Sequence, residues 1–520
     1  MNAAKLLREV YSPLAAINAE HHMNKLYLWA SSFRADFRLG YMFYALVFAC
    51  GSAVIFLALR GFSPQTEAKR NKPRFNIFDY PSVLPDHQPP LNFWNWLNRL
   101  HPASAASMHL ASILPSSQIS SSHATSVPPA YPTLVEFEYR FDELARKFPQ
   151  LVTKHVIGTT TKQRPLFAFR VSDNPGMNED EPALLFTALH HAREPVGVFI
   201  CHALMNELLS NYEGSAWHKR LIDNLDLWFV PLVNPEGYDY LMTSQRQFPW
   251  WRKNLRDNNN DGRFDPLIDG VDLNRNYDYN WSEGGEGEFG SWFYRGQSAF
   301  SEPETQALRD LEAQHNFIIG VSFHSYGEVV LYPWGNFHPA PDHDLILDIA
   351  QHYASRIGRQ NGVGKYQVLP LNGRVGQSSV WRYATSGALD FICETGEDYF
   401  PAFESLPRVV AENVRGANYL LERALRSGIS GHVREAETGA PLDAEIIVAG
   451  LERDYVKPRH ANGTFGRFDR LLLPGVYTII VRKNGYSATR IAPVSVNDST
   501  LTYLEVELQR EATRPAITSH

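Results

Sequence analysis

The sequence predicts an α/β domain, a mixed open sheet flanked by helices, followed by a small all-β sandwich. Three observations lead there. Short unbroken apolar runs at 183–189, 225–233 and 317–323 alternate with segments of helical spacing. Beyond residue 428 the pattern changes to short alternating strands, punctuated by Thr438-Gly439, Asn462-Gly463, Pro474-Gly475 and Asn484-Gly485. At 520 residues the chain is also too long for one ordinary core, so more than one folded unit is expected.

The elements follow in order. Residues 1–38 form an N-terminal tail. Residues 39–59 are 21 positions without a charge, bounded by Arg38 and Arg60, long enough to span a bilayer as a helix. A single-pass anchor is favoured over a late signal peptide or a core helix, because a signal's apolar region is shorter and no small-residue cleavage site follows. Basic residues flank the run on both sides, so charge does not choose its orientation; an extracytoplasmic catalytic domain is the expectation. Residues 60–128 are a Pro/Ser-rich linker with little periodicity. Within 129–426, residues 134–148 have helical spacing, and 156–158 and 165–171 read as strands. The run 183–189 is a buried strand, and Pro195 suits the first turn of a helix that follows it. Buried strands are expected at 225–233 and 317–323, then a break at 425–428. Residues 428–510 make the sandwich, and 511–520 a disordered tail.

Bulk properties exclude some functions. A net charge of −7, with no Lys/Arg block, offers nucleic acid no electrostatic footprint. Three cysteines are not a disulfide framework; Cys201 and Cys393 are expected as buried free thiols.

The chemistry sits at strand exits, where open α/β sheets bind ligands. His191 and Glu194 follow the run at 183–189, and His324 ends the run at 317–323. Two imidazoles and a carboxylate make a zinc set that leaves a fourth position for water. His191 and Glu194 alone are weak, since 19 histidines yield about one His-x-x-Glu by chance. His190 has Arg193 three residues on, so it is read as a supporting or packing residue. Asn274 and Arg275 form a fork suited to a carboxylate. Asp257 to Gly262 has the spacing of a calcium-loop start, but position twelve is Ile268 rather than glutamate, which favours a polar surface turn.

Taken together, these segments resemble the zinc metallocarboxypeptidases, with their carboxypeptidase A-like fold, over about residues 131–426. His191-Ala192-Arg193-Glu194 is similar to the family's first zinc motif. Asn234-Pro235-Glu236-Gly237 resembles its Asn-Pro-Asp-Gly segment, and Trp251-Arg252-Lys253-Asn254 the segment with the oxyanion arginine. Asp272-Leu273-Asn274-Arg275-Asn276 resembles the carboxylate-binding segment. His324-Ser325-Tyr326 is similar to the third-ligand segment, and Phe391 to Gly396 to the strand with the catalytic glutamate.

The resemblance implies one zinc ion per chain on His191, Glu194 and His324, with water activated there. It implies Glu394 as the proton carrier and Arg252 facing the oxyanion. Asn274 and Arg275 would grip the terminal carboxylate, with Arg193 as an accessory contact. Asp272 would orient a ligand histidine, His191 first. It also implies a tyrosine on a mobile loop. Tyr383, only 11 residues ahead of Glu394, is assigned to it, with Tyr399 as the alternative. Asp390 or Leu389 is expected near the side-chain pocket. Residues 431–442, 473–477 and 485–486 resemble the transthyretin-like domain of the regulatory branch, in which an inhibitory propeptide is lacking.

The expected activity is hydrolysis of the last peptide bond of peptides or proteins by a monomeric zinc enzyme anchored in a membrane. Cell-wall muropeptides are the alternative substrate. An inactive peptide-binding or adhesion protein is the alternative of another class.

Overall fold

A computed structural model describes residues 131–244, 248, 250–334, 340–371 and 375–511. The expected N-terminal tail, membrane span and linker lie outside the described residues, as does almost all of the C-terminal tail. Among the described residues, no helix is long and apolar enough to cross a membrane.

The α/β part begins with α1 (Leu134–Lys147). The Thr133 side chain accepts from the Glu136 N–H, and the Glu136 carboxylate accepts from the Thr133 N–H, a reciprocal cap that fixes the start. Next come β1 (Val152–Thr159), β2 (Pro165–Val171), β3 (Ala183–Ala188), α2 (Val196–Asn211), α3 (Ala216–Ile222), β4 (Asp226–Val230) and α4 (Pro235–Thr243). After a long irregular stretch follow α5 (Pro303–Gln314), β5 (Phe317–His324), β6 (Val329–Tyr332), α6 (His343–Arg356), β7 (Gln367–Pro370), α7 (Ser378–Thr385), β8 (Leu389–Glu394) and α8 (Leu406–Ala424).

The eight strands form one mixed sheet, ordered β1-β2-β4-β3-β5-β8-β6-β7. The central set β4, β3, β5 and β8 is parallel, while β2 and β6 run antiparallel to their inner neighbours. Every residue of β3, β4 and β5 is buried, which is why these strands read as unbroken apolar runs rather than alternating ones. The run at 225–233 outlasts its strand because Pro231 has no N–H to continue the ladder. Helix α2 is buried along most of its length, so it too lacks an apolar stripe. It lies close on the sheet at Gly197, where a Cβ would stand 2.5 Å from the Phe323 Cβ and 2.9 Å from that of Ala188.

The architecture changes between Ala424 and Gly428. The strands that follow are β9 (Gly428–Glu435), β10 (Glu445–Val448), β11 (Arg467–Leu471), β12 (Gly475–Arg482), β13 (Thr489–Val496) and β14 (Leu501–Leu508). They form two three-stranded sheets, β10-β12-β13 and β11-β9-β14, around a separate core that includes Ile429, Val433, Phe468, Ile479 and Val506. Polar contacts join the sandwich to the α/β part. Asp342 meets Arg470 at 3.2 Å and Arg459 at 3.4 Å, all three buried. His432 meets Asp180 at 2.6 Å, and the Tyr279 hydroxyl donates to the Tyr455 carbonyl at 3.2 Å.

Candidate metal centre and active site

Strand register brings the expected ligands together. In the parallel pairs, Ala188 stands beside Phe323, and His324 beside Glu394. The three chain exits therefore share the carboxyl end of the parallel strands. His191 and Glu194 come from the turn after β3, His324 ends β5, and Glu394 ends β8. An open cleft lies there, lined by these four residues together with Arg193, Arg252, Asn274, Arg275 and Tyr399.

Three donor atoms converge. His191 Nδ1 lies 2.9 Å from Glu194 Oε2, His324 Nδ1 lies 2.9 Å from the same oxygen, and the two Nδ1 atoms are 3.0 Å apart. All three residues are buried and form a group able to hold a metal ion. The far side of the His191 ring sets its tautomer. His191 Nε2 is 3.1 Å from Asp272 Oδ1, a pure acceptor, so that nitrogen carries the proton. His324 Nε2 faces the Ser322 hydroxyl at 3.0 Å and the Asn274 Nδ2 amide at 3.3 Å. The Nδ1 atoms of both rings and the Glu194 oxygen thus face one another. Two imidazole nitrogens and a carboxylate oxygen are a donor set that zinc takes.

Electrostatics match. Burial opposes charge on Glu194, yet His191 and His324 beside it hold its carboxyl well below the usual range. Burial, with Arg252 nearby, lowers the pKa of His191 and keeps the ring in the neutral form a metal needs. Asp272 is fully buried and works against its own desolvation through Arg252, Arg275 and His191, which hold it well below the ordinary carboxylate value. It accepts from Arg252 Nε and Nη2 at 2.9 Å each, and from the Asn274 N–H at 3.0 Å. One carboxylate thus orients a metal ligand and a cleft arginine together. The remaining Arg252 nitrogen, Nη1, lies 3.4 Å from Glu194 Oε1.

Arg275 donates to the Asn274 carbonyl at 2.7 Å, and its guanidinium lies 5.6 Å from the Phe293 ring centroid. Asn274 is buried. Its Oδ1 accepts from the Ser378 N–H at 3.0 Å, and its Nδ2 lies 3.3 Å from His324 Nε2. Arg193 donates to the Trp250 carbonyl at 3.1 Å, and its guanidinium sits 4.4 Å from the centre of the Tyr399 ring.

Tyr383 requires a correction. It does not line the cleft. It lies on α7 with its ring fully buried, and its hydroxyl donates to Asp342 Oδ2 at 3.0 Å while accepting from the Asp342 N–H at 3.2 Å. It belongs to the ionic node between the α/β part and the sandwich, because the buried face of α7 turns that way. Tyr399, the alternative, lines the cleft, and burial pushes its phenol up to about 12. Asp390 and Leu389 do not line the cleft either; Asp390 forms a buried pair with Arg382 at 2.5 Å. At the calcium-like turn, the Asp257 carboxylate accepts from the Gly262 N–H at 2.8 Å, and the Asp261 carboxylate from the Arg263 N–H at 2.8 Å. Cys201 and Cys393 are buried and free.

Sequence reasoning missed the support behind His324. The Ser322 hydroxyl also lies 3.2 Å from His190 Nδ1, and His190 Nε2 lies 2.9 Å from the Tyr277 hydroxyl. Ser322 thus links the ligand His324, through His190, to Tyr277 in one buried chain. Ser322 stands two residues before His324 on a strand, so the period of two puts both on one face; that signal was available.

A family model described as zinc carboxypeptidase matches residues 138–416, more than half of the chain. The chain belongs to the zinc carboxypeptidase family. Carboxypeptidase O of Bos taurus is 31% identical over 279 residues, covering 53% of this chain and 70% of that protein. Carboxypeptidase A2 of Mus musculus is 32% identical over 280 residues, covering 53% of this chain and 62% of its own. A solved carboxypeptidase A from Helicoverpa armigera superposes with a TM-score of 0.49 at 24% identity, over 56% of this chain and 72% of that one. The family match stops at residue 416, ahead of the sandwich. The likeness of the sandwich to transthyretin-like domains stays an expectation from its sequence.

Proposed function

We propose that this zinc carboxypeptidase removes single residues from the C-termini of peptides or proteins, with one metal ion per chain. The observation that carries the reading is the sharing of one cleft by the metal-donor triad, Glu394, Arg252 and Arg275. His191, Glu194 and His324 would hold a zinc ion, which would supply Lewis acidity to a water molecule and to the scissile carbonyl. Glu394 takes the proton from the attacking water and returns it to the leaving amine. Its place beside His324 in the β5–β8 register suits that task. Arg252, held from behind by Asp272, presents Nη1 to the oxyanion that develops as the carbonyl is attacked. Arg275 and the Asn274 amide bind the free terminal carboxylate, and that contact makes the enzyme an exopeptidase.

Release of C-terminal amino acids from a peptide library, with and without chelator, tests the reading. Glu394→Gln is expected to keep zinc and fold while lowering kcat about 10²- to 10⁴-fold. Full activity in the metal-free enzyme, or in Glu394→Gln, would overturn it.

A further inference from the structure

The mechanism leaves one wall of the cleft without a task. Leu331, Leu371 and Ile392 are buried there, and Leu331 pairs with Ile392 across β6 and β8. Among these apolar side chains the same cleft takes in Gln377, which is 3% exposed. Its Oε1 is fully buried and finds no hydrogen-bond partner among the described residues.

Gln377 has no means of retreat. On one side, Gly376 adopts φ +74°, and a Cβ there would stand 2.9 Å from the Arg275 carbonyl oxygen. The Gly376 N–H donates to the Tyr279 carbonyl at 3.2 Å, and the Gly376 carbonyl accepts from the Tyr277 N–H at 3.0 Å. On the other side, the Ser378 N–H is bound by Asn274, and the Gln377 carbonyl accepts from the Trp381 N–H at 3.0 Å. The backbone is thus tied to the segment that carries Arg275. A buried polar atom held without a partner is costly in the empty protein, and that cost is relieved when a ligand supplies the missing group.

We propose that Gln377 is the specificity-determining residue of this enzyme, selecting substrates whose last side chain is neutral, apolar along its stem and able to hydrogen-bond at its tip. C-terminal glutamine is the best-fitting member of that class, with asparagine next. The inference rests on the carboxypeptidase reading of the same cleft. A carboxamide offers an acceptor on one side and two donors on the other, so two carboxamides can pair. Basic side chains are disfavoured. Among the described lining residues the acids are Glu194 and Glu394, both engaged in the chemistry, while Arg193, Arg252 and Arg275 repel a second cation. A purely apolar side chain fits the walls but leaves Oε1 unpaired, and sites built to bond a polar group reject analogues that lack it.

The test compares kcat/KM on peptides that differ only in the last residue: glutamine, methionine (its near isostere) or lysine. The wild type is expected to favour glutamine over methionine by about tenfold or more. Gln377→Leu should invert that order, and Gln377→Glu should raise the rate on lysine relative to glutamine. Zinc content and unfolding temperature establish that both variants fold. Zinc-dependent release with methionine equal to or above glutamine in the wild type would overturn the proposal, as would a ratio unmoved by either folded variant. Absence of release from every peptide would instead overturn the carboxypeptidase reading, and this inference with it.

Discussion

Removing the charge of Asp272 should damage the metal site and the fold together. Its two oxygens hold His191 Nε2 at 3.1 Å, Arg252 Nε and Nη2 at 2.9 Å, and the Asn274 N–H at 3.0 Å. In Asp272→Asn one oxygen becomes an NH₂ of nearly the same size. Whichever way the amide is set, it meets a proton donor, either His191 Nε2–H or the Arg252 guanidinium. If Arg252 loses its partner, a buried cation keeps the 3.4 Å contact with Glu194 and the Phe293 ring 5.4 Å away. Breaking a buried pair from one side costs about 3–5 kcal/mol. If His191 loses its acceptor, metal affinity should fall about 10- to 100-fold, the usual effect of removing an outer partner of a ligand histidine. Zinc affinity by chelator competition and urea unfolding of the metal-free protein measure the two effects separately. A variant within about 0.5 kcal/mol of wild type, with zinc affinity changed less than about threefold, would refute the argument that Asp272 organises the centre.

Other consequences follow from the same contacts. Arg275→Lys should raise KM for peptides with a free C-terminus and lower kcat/KM about 10- to 100-fold, because a point charge does not replace a planar fork; equal rates on peptides and their C-terminal amides in the wild type would contradict the role. Asp342→Asn should lower stability by about 3 kcal/mol, because Arg459 loses its carboxylate while Arg470 keeps Glu452 at 2.9 Å, and leave zinc content unchanged, as read by urea unfolding and metal analysis. Burial opposes charge on Asp342, yet Arg470 and Arg459 hold its pKa below the ordinary value, so its contribution is present above the unfolded pKa and lost as pH falls through the folded one. Glu304 has the opposite sign. Burial, then Glu302, pushes it up to about 7, so the folded state keeps its proton while the unfolded state has lost it, and stability falls as pH rises from the unfolded value towards 7. Glu304→Gln should therefore gain stability at pH 8 relative to pH 4, measured as the difference in unfolding free energy from wild type at each pH.

Much of the α/β core was legible because its strands are buried on both faces and end at chemistry. His191, Glu194, His324 and Glu394 each follow an apolar run, and a polar residue leaving such a run needs a reason to be there. The contact between His324 and Glu394 was not legible, since it depends on β8 pairing in parallel with β5 at one register. Tyr383 failed for a related reason. Spacing from Glu394 gives no direction, and α7 turns that ring away from the cleft to a buried aspartate. Gln377 had little sequence signal. A glutamine after glycine and before two serines looks like a surface turn until the Tyr277–Tyr279 and Asn274 contacts place it inside.

The balance of charge in the cleft explains why these residues suit a chain end rather than a chain middle. Arg193, Arg252 and Arg275 are set against Glu194, Glu394 and the Asp272 carboxylate behind them. Three guanidiniums against three carboxyl groups leave little surplus, and a divalent ion on the triad adds positive charge to a largely buried site. Charges interact more strongly at a largely buried site than in bulk water. A free α-carboxylate brings the negative charge that offsets part of this surplus, and it arrives where Arg275 can meet it with two parallel hydrogen bonds. An internal peptide segment brings only amides, so it would bury the same cations without compensation. Exopeptidase selectivity in this cleft is then as much a cost imposed on the wrong substrate as a contact offered to the right one.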